Sequence, residues 1–174
     1  VNQCKECHAA EDKITPIGPK ARNLNKKFVF NEGEFNQLTY WMNRQIIDDY
    51  PLELVSPVDW TDDSQNINDR VRSYLDVNCG HCHSPTGNAN STGLYLHLDE
   101  TRDIHLGLYK KPVATGRGSG GLKYSIVPGK PDESILLHRM ISLDPGVMMP
   151  ESGRALSHTE AVEMVREWIL VMED

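Results

Sequence analysis

The sequence predicts a mostly α-helical protein with long loops and at most a short hairpin. Three segments carry apolar residues at helical spacing: DDSQNINDRVRSYLDVNC, GKPDESILLHRMI and LSHTEAVEMVREWILVMED. The stretches between them are rich in turn residues, with TGRGSGG at 115–121 as the clearest example. A short hairpin is expected around Leu94–Leu98 and Tyr124–Val127, and no other strand is predicted.

The first half of the chain contains one convincing helical pattern. NQLTYWMNRQII places Leu38, Trp41 and Met42 on a common face. It follows a loop with several prolines and glycines, TPIGPKARNLN, and precedes YPLELVSPVDWTDDS, which is expected to be an extended linker.

The second half opens and closes with amphipathic helices. The first is expected to be capped by Asp63 or Ser64 and to end at Cys79. The last is expected to start with a capping box formed by Ser157 and Glu160. We therefore divide the chain into an N-terminal segment at 1–50, a linker at 51–63 and a domain at 64–174.

Composition limits the function classes. The chain has 174 residues and a formal charge of −7, without any Lys/Arg-rich block, which argues against a nucleic-acid partner. No apolar run is long enough for a transmembrane segment. Aromatic residues make up only 7% of the chain, which is little for two independent small cores. A large buried cofactor would supply the missing apolar volume.

All four cysteines belong to two copies of the pattern Cys-x-x-Cys-His. The copies are Cys4, Cys7 and His8 near the amino terminus, and Cys79, Cys82 and His83 in NCGHCHSPTG. Cys4 follows only three residues, so the N-terminal segment is expected to be truncated.

Four chemistries use cysteines in this way. Disulfides would leave the histidines unexplained, and a thioredoxin-like redox pair needs a strand-to-helix turn that neither motif follows. A shared zinc site is awkward because the pairs are far apart in the sequence. Covalent attachment of haem c explains both thiols and the adjacent histidine, which is the iron ligand in that pattern. We therefore expect two covalently attached haems, each with its iron.

Residues 64–174 resemble a class I c-type cytochrome domain. The strings that carry the resemblance are YLDVNCGHCHSPTG, SIVPGKPDESILLHRM, VMMPESG and EMVREWI. The resemblance implies helical domains wrapped around covalently bound haem, with Cys79 and Cys82 as thioether anchors and His83 as proximal ligand. It implies Met149 as distal ligand, since the ligand methionine of that family directly precedes a proline. Core filling is the alternative role for Met148 and Met149.

Residues 1–50 resemble a second, partial haem-binding segment. They contain the attachment motif but no Met-Pro pair, so Met42 is the candidate distal ligand for the haem at His8. A histidine or an open coordination site are the alternatives, and the candidate histidines are His97, His105, His138 and His158.

These patterns predict an extracytoplasmic dihaem c-type cytochrome that transfers single electrons between redox protein partners. The resemblance implies a periplasmic or extracellular location, where haem c is attached. One alternative is a dihaem peroxidase-type enzyme with one open-site haem. Another is the electron-relay module of a larger dehydrogenase or multihaem assembly, which would make the chain part of a larger complex.

Overall fold

The computed structural model describes residues 7–10 and 13–173. Helices make up 36% of the chain and strands 9%, and the strands form two antiparallel hairpins. That helical share is close to the average for globular proteins. The predicted fold class, a mostly α-helical cytochrome c-like domain with at most one short hairpin, is therefore wrong. The fold is a small mixed α/β arrangement with many turns.

Six α-helices and four strands have both ends within the described residues, and Cys7 and His8 are also helical. The helices are α1 (Ala21–Leu24), α2 (Gln37–Asn43), α3 (Ile67–Asn78), α4 (Asp103–Leu106), α5 (Ile135–Ile141) and α6 (Thr159–Leu170). The strands are β1 (Ala9–Ala10), β2 (Lys13–Ile14), β3 (Lys27–Phe30) and β4 (Gly33–Asn36). Short 3₁₀ segments span Asn90–Thr92, Gly116–Ser119 and Pro131–Glu133. None of the described helices is long and apolar enough to cross a membrane.

Both hairpins lie in the first half of the chain. β1 pairs with β2, and β3 pairs with β4 in a register that sets Phe28 opposite Phe35. Phe30 stacks on Tyr40 of α2 with ring centroids 3.7 Å apart. The hairpin expected around 94–98 is wrong, because residues 94–98 contain no strand.

The main core lies where α3, α5 and α6 meet. Val71 and Leu75 of α3, Leu137 of α5, and Val165 and Ile169 of α6 are at most 1% exposed. The apolar spacing that predicted these helices therefore marks the residues that pack together.

The helix starts differ from the predicted ones. Asn66 caps α3 by accepting a hydrogen bond from the amide of Asn68 at 2.8 Å, in place of Asp63 or Ser64. The capping box predicted for α6 is absent, because Ser157 donates its hydroxyl to the Met140 carbonyl instead. Because the Ser157 hydroxyl is bonded to α5, it does not cap α6.

Residues 51–63 contain no helix or strand and lie against α3. The amide of Val58 donates to Ser73 Oγ at 2.9 Å, and Arg70 Nε donates to the carbonyl of Trp60 at 2.8 Å. The Trp60 ring packs edge-on against Tyr74. The linker segment is therefore fixed to the helix that leads into the second cysteine motif.

Candidate functional site

The second cysteine motif begins where α3 ends. The amide of Cys79 donates to the Leu75 carbonyl at 2.8 Å, and the amides of Cys82 and His83 both donate to the Cys79 carbonyl, at 3.1 and 2.9 Å. The motif is therefore a compact turn that continues the helix. Gly80 is required in this turn, because an added Cβ would lie 2.8 Å from the Asp76 carbonyl oxygen.

The two thiols of this turn are neutral at ordinary pH. Burial raises the pKa of Cys79, which packs against the main core, to about 12. Burial also raises the pKa of Cys82 to about 11, and the neighbouring Cys7 and Glu151 act in the same direction. Both thiols thus lie partly inside the protein, with Cys82 facing the N-terminal segment.

His83 is half-buried directly after Cys82. Its Nδ1 is buried and has no hydrogen-bond partner among the described residues. Burial lowers the pKa of the imidazole, and the charge of Arg139 acts in the same direction. A neutral imidazole with an unpartnered nitrogen can serve as a metal ligand.

The loop that carries Met149 is hydrogen-bonded to α5. The amide of Met149 donates to the Arg139 carbonyl at 3.0 Å, and Arg139 Nε donates to the Val147 carbonyl at 2.8 Å. The charge of Arg139 in α5 lowers the pKa of His83, and that of Glu151 in this loop raises the pKa of Cys82, so these two charged groups lie near the motif. Met149 is half-buried, whereas Met148 is 7% exposed.

The first motif meets the second one through their second cysteines. Sγ of Cys7, Sγ of Cys82 and a ring nitrogen of His81 all lie within 4.8 Å of one another. Cys7 and His8 are helical, Cys7 is half-buried and His8 is exposed. Cys4 lies outside the described residues.

A buried ion pair also joins the two halves of the chain. Arg22 of α1 donates to Asp76 Oδ1 at 2.5 Å and to Asp99 Oδ2 at 2.9 Å. Asp76 is fully buried and also accepts a hydrogen bond from the amide of Leu98. Since Asp76 lies one turn before Cys79, this pair holds α1 against the start of the motif.

The other predicted ligands lie elsewhere. Met42 is 38% exposed on α2. His158 precedes α6, where its Nδ1 lies 3.0 Å from the Tyr74 hydroxyl. The ring of His138 in α5 lies against Gly120, so closely that a Cβ added there would be 2.6 Å from its Nε2. His97 and His105 are half-buried.

The sequence did not identify His81, Arg22 or Asp76 as site residues. His81 occupies a variable position of the motif, so the pattern gives it no role. Asp76 is an acidic residue on the buried part of the amphipathic helix α3, and its 0% exposure is the sign that it is paired.

Two cavities are described, of about 440 and 310 Å³. The larger lies beside Tyr109 and Tyr124, and the smaller lies between Ile67 and Trp168. Neither is lined by a residue of the second motif. The motif itself is half-buried and lies where the end of α3 meets Cys7 of the N-terminal segment.

No known protein family, curated protein or solved structure matches this chain.

Proposed function

We propose that this protein carries haem c covalently at its two Cys-x-x-Cys-His motifs and transfers single electrons between redox proteins. The observation that carries the proposal is the arrangement around α3. Cys79 and Cys82 lie in one turn, Nδ1 of the following His83 has no hydrogen-bond partner among the described residues, and Glu151, two positions after Met149, acts on Cys82. Thiols and an imidazole in this order fit the chemistry of haem c attachment.

The residues of the second motif would have separate roles in binding the haem. Cys79 and Cys82 would hold the porphyrin by thioether bonds, and His83 and Met149 would bind the iron. Bound there, the haem iron would supply a one-electron redox couple, whose potential a methionine ligand raises. The protein would contribute position and exclusion of water.

The first motif would hold the second haem through Cys4, Cys7 and His8. Met42 stays a prediction as its distal ligand, and its sulfur would have to approach from an exposed position on α2. An open iron site at this haem would give the peroxidase-type alternative. Binding of carbon monoxide by the reduced protein distinguishes these possibilities, because only an open or weakly ligated site takes it up.

The proposal includes a periplasmic or extracellular location and protein redox partners. With a formal charge of −7, the chain should dock most readily onto a basic surface. The electron-transfer rate should then fall as salt is added, since salt screens exposed charges. The same surface would serve an electron-relay module within a larger assembly.

A reductive titration of the secreted chain tests the proposal. We expect reversible uptake of two electrons per chain, with low-spin haem spectra in both oxidation states. A chain that shows no redox-active absorbance after expression with haem-attachment machinery contradicts the proposed function. Uptake of two electrons with turnover of peroxide would replace it by the peroxidase-type alternative.

A further inference from the structure

His81 has no role in haem attachment, yet it lies at the contact between the two motifs. It is half-buried, and its Nδ1 is buried without a hydrogen-bond partner among the described residues. An imidazole next to two sulfur atoms offers a nitrogen that can bind a metal ion.

The sulfur atoms of Cys7 and Cys82 complete a group of three donors. The three ligand atoms lie within 4.8 Å of one another. Four ligands about 2.3 Å from a zinc ion are about 3.8 Å apart in a tetrahedron. Each pair therefore needs to close by at most about 1 Å, which side-chain rotation can provide.

We propose that Cys7, His81 and Cys82 bind a zinc ion in the haem-free chain. Two thiolates and one imidazole form a donor set that zinc favours. Binding replaces the two thiol protons by one Zn²⁺, so two protons are released and no oxidant is needed. Water would supply the fourth ligand of the zinc ion.

Zinc binding and haem attachment would exclude each other at these cysteines. A thioether sulfur carries no negative charge, so an alkylated Cys7 or Cys82 is a poor zinc ligand. Conversely, a zinc-bound thiolate is not available to a haem vinyl group. This exclusion rests on the proposed function, whereas zinc binding itself does not.

Cobalt is the spectroscopic probe for this site. The full-length, haem-free chain is prepared in cells without haem-attachment machinery, kept reduced, and titrated with Co²⁺ and then with Zn²⁺. We expect a thiolate-to-cobalt charge-transfer band at one equivalent, which Zn²⁺ abolishes. The Co²⁺ affinity should rise with pH, because protons compete for the thiolates.

Matched variants identify the ligands. Cys7→Ser and Cys82→Ser should each reduce the charge-transfer band. His81→Ala should weaken Co²⁺ binding at least about tenfold, because loss of a residue that only hydrogen-bonds to a metal ligand already has an effect of this size. His105→Ala is the control, because His105 also has an unpartnered buried Nδ1 but lies outside the cluster. Circular dichroism shows whether each variant is folded.

The proposal is overturned if the folded chain shows no cobalt band, or if the band is unchanged in Cys7→Ser. It is also overturned if Cys79→Ser loses the band while Cys7→Ser retains it. The last result would mean that Cys79 and Cys82 alone supply the thiolates. Haem counting on the secreted chain is independent of these results. A cobalt band in a chain that never takes up haem would contradict the proposed function and support the zinc site.

Discussion

Arg22 donates a hydrogen bond of 2.5 Å to the fully buried carboxylate of Asp76, across 54 positions of the sequence. The side chain of Arg22 is 17% exposed, so both charges are largely removed from water. Removing one partner of a buried pair leaves the other charge without compensation. The pair is therefore the main electrostatic connection between α1 and the helix before the motif.

Arg22→Gln should lower the free energy of unfolding by about 3 kcal/mol, because Asp76 then stays buried without its cation. Urea denaturation measures this loss. Lys27→Gln is the control, since Lys27 pairs with Glu34 at an exposed position and should cost less than about 1 kcal/mol. Equal losses in the two variants would mean that the Arg22–Asp76 pair contributes no more than a surface pair.

Gly87→Ala should destabilise the turn that carries the second motif. An added Cβ would lie 2.2 Å from the Cys82 carbonyl oxygen, which already accepts a hydrogen bond from Ala89. The backbone must shift to make room, at a cost of about 1–3 kcal/mol. Gly18→Ala is the control, because nothing lies within 4 Å of its added Cβ. Equal midpoints of thermal unfolding for the two variants would mean that the turn accommodates the added methyl group without losing stability.

Glu100 should make stability depend on pH in the acid range. Hydrogen bonds from Arg102 lower the pKa of this carboxyl from 4.5 to about 2 in the folded chain. The stabilisation is therefore present above about pH 4.5 and is lost as the pH falls through 2. Wild type and Glu100→Gln should differ most near neutral pH and converge in acid. Parallel unfolding curves from neutral pH to acid would contradict this role for Glu100.

Met149 and Met148 are neighbours with different expected roles. In the haem-loaded chain, Met149→Ala should convert one haem to a high-spin form that binds carbon monoxide, and should lower its potential. Met148→Ala should leave the spectrum unchanged and cost about 2–5 kcal/mol of stability, because Met148 is buried. Absorbance spectra and urea denaturation separate the two effects. The reverse pattern would assign the ligand role to Met148.

The sequence predicted α2 and the helices of the core, whereas it missed both hairpins of the first half. The spacing of Val71 and Leu75, and of Val165 and Ile169, reflects the faces on which α3 and α6 pack, so both helices are confirmed. The β3–β4 hairpin was missed, although Asn31 to Gly33 is a turn signal between short apolar runs. Helix length was overestimated because periodicity does not mark where tertiary contacts end a helix.

The candidate site shows the same limit. The motif identified Cys79, Cys82 and His83, because their spacing is local. The contact between Cys7 and Cys82 depends on how α1 and α3 are held together, and no local pattern contains that information. The role proposed for His81 depends on the contact between the two motifs, which no local sequence pattern contains.

The most direct test of the central claim is the number of covalently attached haems per chain. The pyridine haemochrome spectrum of the purified, secreted chain gives that number when it is combined with the intact mass. We predict two covalent haems per chain. The double variant Cys79→Ser/Cys82→Ser should retain a single haem, at the first motif. A chain that carries no covalent haem, although the attachment machinery was present, would contradict the account.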